Sequence, residues 1–204
     1  MPDSPFTIRS FEPKDESAVY EICLKTGDSG KDASHLFTDP LALGHIYVGP
    51  YVNLEPQSAF VLEDDRGVCG YIFGAVESDL FYRRFRNEWL PQLRRRYREP
   101  AGDRSEWTED EKLYHLYYHP HVTHPDSLRK YQSHLHIDLL PQAQGKGQGV
   151  LMMDRLMEHL REAGSAGVHL ELALNNERAY RFYTVYGFVE LERSGDSIYM
   201  GLRL

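Results

Sequence analysis

Alternating apolar and polar residues, or short runs rich in β-branched and aromatic residues, predict β-strands in several parts of this chain. Five such runs are visible, and a hairpin through Asp196 closes the chain; the runs are residues 6–11, 58–63, 68–76, 134–139 and 168–174. Between the second and third runs, Asp64-Asp65-Arg66-Gly67 suits a tight turn. These two runs are therefore predicted to form a β-hairpin.

Apolar residues at helical spacing predict helices between the strands. The predicted helices are one that opens at Pro13, a short one at 36–43, and others at 77–98, 106–118, 150–163 and 176–186. The helix at 77–98 is rich in arginine, and with the helix at 106–118 it forms a predicted helical insertion over about residues 77–130. Strands and helices alternate in the rest of the chain, which is typical of an α/β protein.

Length and composition are those of one ordinary globular domain, residues 1–204, with 41% apolar and 26% charged residues. A net charge of -8 argues against nucleic acid as a partner, because a general nucleic-acid binder needs a basic face. No apolar run is long enough to cross a bilayer, and residues 1–5 lack the basic and apolar parts of an export signal. Cys23 and Cys69 have no metal-type or disulfide spacing. We expect a cytoplasmic protein with no membrane partner and with two core thiols.

The strongest chemical signal is a glycine-rich loop between a predicted strand and an amphipathic helix. After Pro141 the chain reads Gln144-Gly145-Lys146-Gly147-Gln148-Gly149, with no acid before Asp154. Glycines let backbone amides approach an anion, and the N-terminus of the helix adds unpaired N–H groups and the positive end of its dipole. The loop therefore predicts a pyrophosphate site. It matches neither the dinucleotide fingerprint nor the Walker loop, because Val150 replaces a glycine and no Gly-Lys-Ser/Thr follows.

A second signal begins at Asn176 and ends at Gly187-Phe188. Ala179, Phe182, Tyr183 and Tyr186 share one face of the helix between them. Two interpretations fit Tyr183: an aromatic residue of the core, or a phenol that donates a proton to a leaving group.

Together, these two segments resemble the GNAT superfamily of N-acetyltransferases. The loop matches that superfamily's pattern of Gln or Arg, two residues, Gly, one residue and Gly, and residues 176–188 match Asn-x-x-Ala-x-x-x-Tyr-x-x-x-Gly-Phe without a gap. The resemblance covers residues 135–191 well and the first strands more loosely. It implies a GNAT fold, with a mixed, mostly antiparallel sheet of six or seven strands flanked by helices. The helical insertion would fall between strands 3 and 4.

The resemblance also implies acetyl-CoA as co-substrate, no metal cofactor, and direct attack of an amine on the acetyl group. The pyrophosphate would bind residues 144–149, and Leu139 and Leu140 would pair their backbone with the pantetheine arm. Asn176 and Ala179 would contact the cofactor, and Tyr183 would protonate the departing thiolate. The acceptor would be a small-molecule or peptide amine, and the protein a monomer or homodimer.

A narrower resemblance concerns two further stretches, residues 26–32 and 45–51. They are similar to the acetyltransferase-like domain of animal O-GlcNAcases and to its stand-alone bacterial relatives. The animal domain is regarded as a pseudo-acetyltransferase with a degraded cofactor loop, whereas the loop of this chain is intact. No glycoside hydrolase portion is present in this sequence, so that activity is not implied for it.

Attack by a neutral amine needs a proton acceptor, because a free lysine amine has a pKa of about 10.4. Asp138, His136 and His134 share one face of a predicted strand, and Glu171 lies on the next strand. Each is either a catalytic base or a structural hydrogen-bonding group. Three residues of the early loop are predicted to line the acceptor side, unless they only cap that loop: Asp28, Asp32 and His35.

Other interpretations compete with catalysis. Gly27-Asp28-Ser29-Gly30 has the letters of a trypsin-like nucleophile motif, but no histidine precedes it, so that class is rejected. A zinc site is disfavoured because no acid or thiol accompanies the histidines at positions 115, 119, 121 and 124 at a fixed spacing. An inactive GNAT-fold module that binds acetyl-CoA or a peptide stays open. The arginine-rich helix would dock an acidic partner or the cofactor's 3′-phosphate, or form a solvated charged face.

Overall fold

The computed structural model describes residues 5–121 and 125–204, so Met1–Ser4 and His124 lie outside the described residues. Its described strands form one seven-stranded sheet in the order β1-β2-β3-β4-β5-β7-β6. The strands are β1 Thr7–Ser10, β2 Ala59–Asp64, β3 Gly67–Ala75, β4 Ser133–Leu139, β5 Gly167–Ala173, β6 Val189–Ser194 and β7 Ser197–Arg203. The mixed, mostly antiparallel sheet and the hairpin of β2 and β3 are confirmed.

One neighbouring pair in this sheet is parallel, and it is short. β4 and β5 pair only at Ser133↔Val168 and His134↔His169, although both strands continue for several residues. Beyond that point β4 stays paired with β3, as far as Leu139 opposite Gly70, while β5 stays paired with β7. The sheet therefore opens into a V between the C-terminal halves of β4 and β5.

Helices cover both faces of the sheet. They are α1 Glu16–Thr26, α2 Gly44–Tyr47, α3 Gly49–Leu54, α4 Ser78–Arg84, α5 Leu90–Arg94, α6 Glu109–Tyr118, α7 Gln148–Glu162 and α8 Glu177–Tyr186. On one face, α1 to α6 pack against alternate strand residues such as Val61 and Phe73. On the other face, α7 and α8 pack against the intervening residues, such as Leu62 and Ile72. Because successive side chains of a strand point to opposite faces of the sheet, the central strands contribute residues to both cores.

The predicted insertion, α4 to α6, lies between β3 and β4 and contributes to the first of these cores. Leu90 is fully buried in it, and the indole N–H of Trp89 donates to the carbonyl oxygen of His45 at 2.8 Å. Phe85–Trp89 form a π-helical turn that joins α4 to α5. The insertion is therefore packed on the sheet through apolar side chains.

The helix predicted at residues 36–43 is wrong, because bends and turns occupy residues 38–43 and the helix begins only at Gly44. Asp39 precedes Pro40, which disfavours helical dihedral angles at that aspartate. Its carboxylate accepts the N–H of Leu41 at 2.9 Å, and Asp110 accepts the N–H of Thr38 at 2.9 Å. Side-chain acceptors thus replace the helical carbonyls here.

Both cysteines are buried and free, as predicted for core thiols. Among residues 5–121 and 125–204, no helix combines the length and the apolar character needed to cross a bilayer.

Candidate functional site

The glycine loop forms the turn between β4 and α7. Gly145 and Gly147 have φ angles of +71° and +77°, and a Cβ atom added to either would meet nothing within 4 Å. These left-handed angles favour glycine, and the missing side chains leave the backbone open to the neighbouring space. The Gln144 side-chain amide donates to the Leu139 carbonyl oxygen at 2.6 Å and so fastens the loop to the end of β4.

The N-terminus of α7 follows this loop directly. Its first turn carries no acidic residue, and Gly147 is its N-cap. The unpaired N–H groups and the dipole of a 15-residue helix favour an anion at this end. The loop and the helix together make an anion-binding surface.

A cavity of about 720 Å³ lies in the V between β4 and β5 and reaches the glycine loop. Its volume is in the range of small-molecule and cofactor sites. Residues predicted for the site that line this cavity are His136, Asp138, Leu139, Gln144, Gly145, Gly147, Gly149, Glu171, Asn176, Ala179 and Tyr183.

The backbone of β4 presents polar groups to this cavity. The N–H of Leu140 donates to Cys69 of β3 at 2.8 Å. Consecutive N–H groups of a strand point to opposite sides, so the N–H of Leu139 points into the V, where β5 no longer accepts it. This N–H is available to a ligand that lies along β4, whereas the Leu139 carbonyl oxygen already accepts the Gln144 side-chain amide.

Tyr183 lies on α8 at the wall of the cavity, and its side chain is 9% exposed. Its ring packs on Phe182 and Phe188, with centroids 5.3 and 5.6 Å away. Burial, and secondarily the charge of Asp138, raises the pKa of this phenol. Within the described part of the chain its hydroxyl makes no hydrogen bond. Tyr183 is therefore both a core aromatic and a protonated donor at neutral pH.

Three polar side chains form a network on the opposite side of the V. The Tyr71 hydroxyl lies 2.6 Å from Asp138 Oδ2 and 2.9 Å from His136 Nε2, which itself lies 3.3 Å from the same carboxylate oxygen. If Tyr71 donates to Asp138, its oxygen accepts from a proton on His136 Nε2, which leaves Nδ1 as an acceptor. Burial, with the Asp138 charge second, raises the pKa of Tyr71, so this phenol stays protonated.

Glu171 faces the same cavity from β5. It is exposed and accepts a hydrogen bond from the Ser197 hydroxyl. Tyr199, its partner in β7, has its pKa raised by burial and by the nearby Glu171 charge. The V therefore carries one carboxylate on each arm, Asp138 on β4 and Glu171 on β5.

Seven predicted site residues do not line the cavity. The base candidate His134 is buried on β4, and its Nδ1 atom lies 2.8 Å from the Ser78 hydroxyl. Leu140 directly follows β4. The Lys146 ammonium lies 5.3 Å from the Phe6 ring centroid. Gln148 is buried at the start of α7. The other three, Asp28, Asp32 and His35, belong to the early loop and lie outside the cavity. Asp28 pairs its backbone with Lys31, and Asp32 accepts the N–H of Ser34 at 2.8 Å. Their neighbours Ser29 and Gly30 line the cavity instead, so acceptor contact by the three stays a prediction.

Sequence reasoning missed three residues of the site. Tyr47 and Arg178 line the cavity, and Tyr71 contacts two of the base candidates, Asp138 and His136. Arg178 follows Asn176 in the motif and adds a cation. Tyr71 carries no local signal, because only the register that sets Tyr71 opposite Asp138 brings it to the site.

None of the seven arginines predicted on the 77–98 helix lines the cavity. Arg84 bonds Glu88 and the Leu54 carbonyl, and Arg94 bonds the Tyr117 carbonyl at 2.7 Å. These two serve the packing of the insertion.

Comparisons with known proteins show the family and the fold of this chain. Residues 50–188 match the model of the acetyltransferase (GNAT) family. Protein O-GlcNAcase of Rattus norvegicus is 30% identical over 189 residues, which are 92% of this chain but only 20% of that relative. The crystal structure of SsHAT is 36% identical with a TM-score of 0.90, covering 97% of this chain and 98% of that one. PaiA N-acetyltransferase of Thermoplasma acidophilum, solved with coenzyme A, shares the fold at 12% identity and a TM-score of 0.56, covering 98% and 99%.

Proposed function

The chain belongs to the acetyltransferase (GNAT) family, and on that premise we propose that it transfers the acetyl group of acetyl-CoA to a primary amine by direct attack. The glycine loop and the N-terminus of α7 bind the diphosphate through backbone N–H groups. Arg178, on the cavity wall, adds a positive charge for the anionic co-substrate.

The V between β4 and β5 holds the pantetheine arm. The backbone of Leu139 aligns that arm, while Asn176 and Ala179 contact it from the start of α8. Leu140 is not part of this pairing, because its N–H donates to Cys69 and its carbonyl accepts the N–H of Ala143. Asn176 is also the N-cap of α8, with its side chain accepting the N–H of Ala179 at 3.1 Å. The free N–H of Leu139 is in position to stabilise the oxyanion of the tetrahedral intermediate.

Two proton transfers accompany the reaction. Tyr183 gives its proton to the departing thiolate of coenzyme A, and its raised pKa keeps that proton in place at neutral pH. Asp138, with His136 and the positioning residue Tyr71, accepts the proton of the attacking amine. Glu171 is the alternative base on the other arm. No covalent enzyme intermediate is formed.

The acceptor is a primary amine of a small molecule or of a peptide. The carboxylates of Asp138 and Glu171 and the ring of Tyr47 form the cavity wall away from the glycine loop, which favours a cationic amine over an anionic one. The hydrolase activity of O-GlcNAcase is not proposed here, because this chain spans only a fifth of that protein.

The observation that carries this proposal is the V-shaped cavity that joins an open glycine loop to a buried phenol. The test is release of the coenzyme A thiol from acetyl-CoA over a panel of primary amines, with the acetylated product identified by mass spectrometry. We expect saturable, amine-dependent release. Tight acetyl-CoA binding without release for any amine would instead support a non-catalytic binding module.

A further inference from the structure

The insertion brings together three side chains that the sequence keeps apart. Glu99 follows α5, whereas His115 and His119 lie on and just beyond α6. One ligand atom from each of the three lies within 4.8 Å of the other two. Glu99 is the acidic ligand whose apparent absence disfavoured a zinc site on sequence grounds.

The two histidines are held in register by the end of α6. The N–H of His119 donates to the carbonyl of His115 at 2.9 Å, which closes the last helical turn. Their rings consequently lie side by side, with centroids 4.4 Å apart. Histidines four residues apart on a helix are a common way to present two imidazole ligands to one metal ion.

The position of Glu99 is fixed from both sides. Two residues before it, the Tyr97 carbonyl accepts the Tyr118 hydroxyl at 2.8 Å. Two residues after it, the Ala101 carbonyl accepts the indole N–H of Trp107 at 3.1 Å. The segment that carries Glu99 is thereby tied to α6 and to the residues that precede it.

Contacts within the cluster leave donor atoms available. Glu99 Oε1 lies 2.5 Å from His119 Nε2, whereas the buried Nδ1 atom of His115 has no hydrogen-bond partner among the residues that the structure describes. The Trp107 ring packs on His115 at 5.0 Å, and the nearby cation Arg104 stacks on Trp107 at 5.5 Å. Trp107 thus shields one side of His115.

We propose that Glu99, His115 and His119 bind a divalent transition-metal ion, with zinc the favoured ion, and that this ion fastens the segment after α5 to the end of α6. Two imidazoles and one carboxylate are typical zinc ligands, and a water molecule completes a tetrahedral site. Ligand atoms around tetrahedral zinc lie roughly 3.3 Å apart, by the usual bond lengths of about 2.0–2.2 Å. The side chains of Glu99 and His119 are 45% and 57% exposed, which leaves them room to rotate toward that spacing.

This site is separate from the acetyl-transfer cavity, since none of its three ligands lines that cavity. Its role is to fix the geometry of the insertion, which supplies much of one core. The proposal is therefore independent of whether the chain transfers acetyl groups.

The test is calorimetric titration of zinc chloride into the full chain, prepared without an affinity tag and stripped with a chelator. We expect one strong site per chain in the unaltered protein. Glu99→Gln and His119→Gln each remove a direct ligand and should weaken binding by more than about 100-fold, beyond the effect of losing an outer-shell partner. Zinc should also raise the melting temperature of the unaltered protein but not of these two variants.

Glu106→Gln is the matched control, because Glu106 is an exposed acid of the same insertion and is not one of the ligand residues. It should bind zinc as the unaltered protein does. Absence of a one-to-one site, or equal zinc affinity in the control and in both ligand variants, would overturn the proposal. The melting curve without zinc shows whether each variant is folded.

Discussion

Tyr183 illustrates how one side chain can serve both the core and the chemistry. Its ring lies among aromatic residues of α8 and the following turn, while its hydroxyl group lies at the cavity wall without a hydrogen bond in the described structure. Sequence spacing left these two roles as alternatives, and the structure is compatible with both at once. The proposed acid role depends on the hydroxyl alone, so it can be tested without disturbing the packing.

Replacing Tyr183 by phenylalanine removes only that hydroxyl. We expect kcat to fall by about 10²- to 10⁴-fold, the usual contribution of a general acid, with the Kd for acetyl-CoA nearly unchanged. Steady-state kinetics and calorimetry measure the two effects. Tyr186→Phe is the control, because Tyr186 lies on the same helix as Tyr183 but bonds Asp154 of α7 and does not line the cavity. An equal loss in both variants would contradict the assignment.

The pH dependence of the same step follows from the direction of the pKa shift. Burial raises the pKa of Tyr183 above the usual value of about 10, so the phenol keeps its proton, and its function as an acid, at all lower pH values. We expect kcat not to decline through loss of this proton up to at least about pH 10. A pH–kcat profile that falls near pH 8, with the fall abolished by Tyr183→Phe, would show that the pKa of Tyr183 is lowered and not raised.

The choice of base can be decided by comparing two carboxylates. Asp138 is held by Tyr71 and His136, whereas Glu171 is exposed and bonds Ser197. We expect Asp138→Asn to lower kcat/KM for the amine by about 10²-fold or more, and Glu171→Gln to lower it by much less. A larger loss for Glu171→Gln than for Asp138→Asn in the same assay would show that Glu171, on β5, is the base.

At the scale of elements, the helical insertion is part of the fold. The sequence predicted its two main helices from apolar periodicity but gave no sign that they would share a core with α1 and the sheet. Trp89 and Leu90 are buried there, at the end of the π-helical turn and at the start of α5. The helix at 36–43 failed for a related reason, since Asp39 and Asp110 offer hydrogen bonds that periodicity cannot reveal.

Because the insertion is part of the core, truncating one of its buried side chains should destabilise the protein. Leu90→Ala should lower the free energy of unfolding by about 2–5 kcal/mol, because Leu90 is fully buried. Leu80→Ala, in α4 of the same insertion but 41% exposed, should change it by under about 0.5 kcal/mol. Urea unfolding followed by circular dichroism measures both, and an equal effect of the two changes would place the insertion outside the core.

At the scale of the whole molecule, the features predicted correctly from the sequence are those that a continuous segment of the chain forms. The glycine loop, its helix and the Asn176 motif are continuous in sequence, and their positions agree with the prediction. The V of the sheet depends on β4 and β5 separating after His134 and His169, which no single segment encodes. The same holds for Tyr71 opposite Asp138 and for Glu99 beside His119, both of which arise from tertiary packing.

Charge also acts at this scale. The chain carries a net charge of -8, yet its glycine loop is free of acids and is followed by α7, with no acid in its first turn. An anionic co-substrate must therefore be bound by local backbone dipoles against the overall field. Binding of acetyl-CoA is accordingly the property on which the whole account depends.

The most direct test is a calorimetric measurement of the acetyl-CoA Kd for the unaltered protein, for Gly147→Glu and for Gly164→Glu. Gly164 follows the other end of α7, with a φ of +83° and equally open surroundings, so its variant carries the same charge and a similar backbone strain away from the loop. We predict saturable binding by the unaltered protein and by Gly164→Glu, and loss of binding in a folded Gly147→Glu. Equal affinity in all three proteins, or none in the unaltered one, would contradict the assignment of the loop.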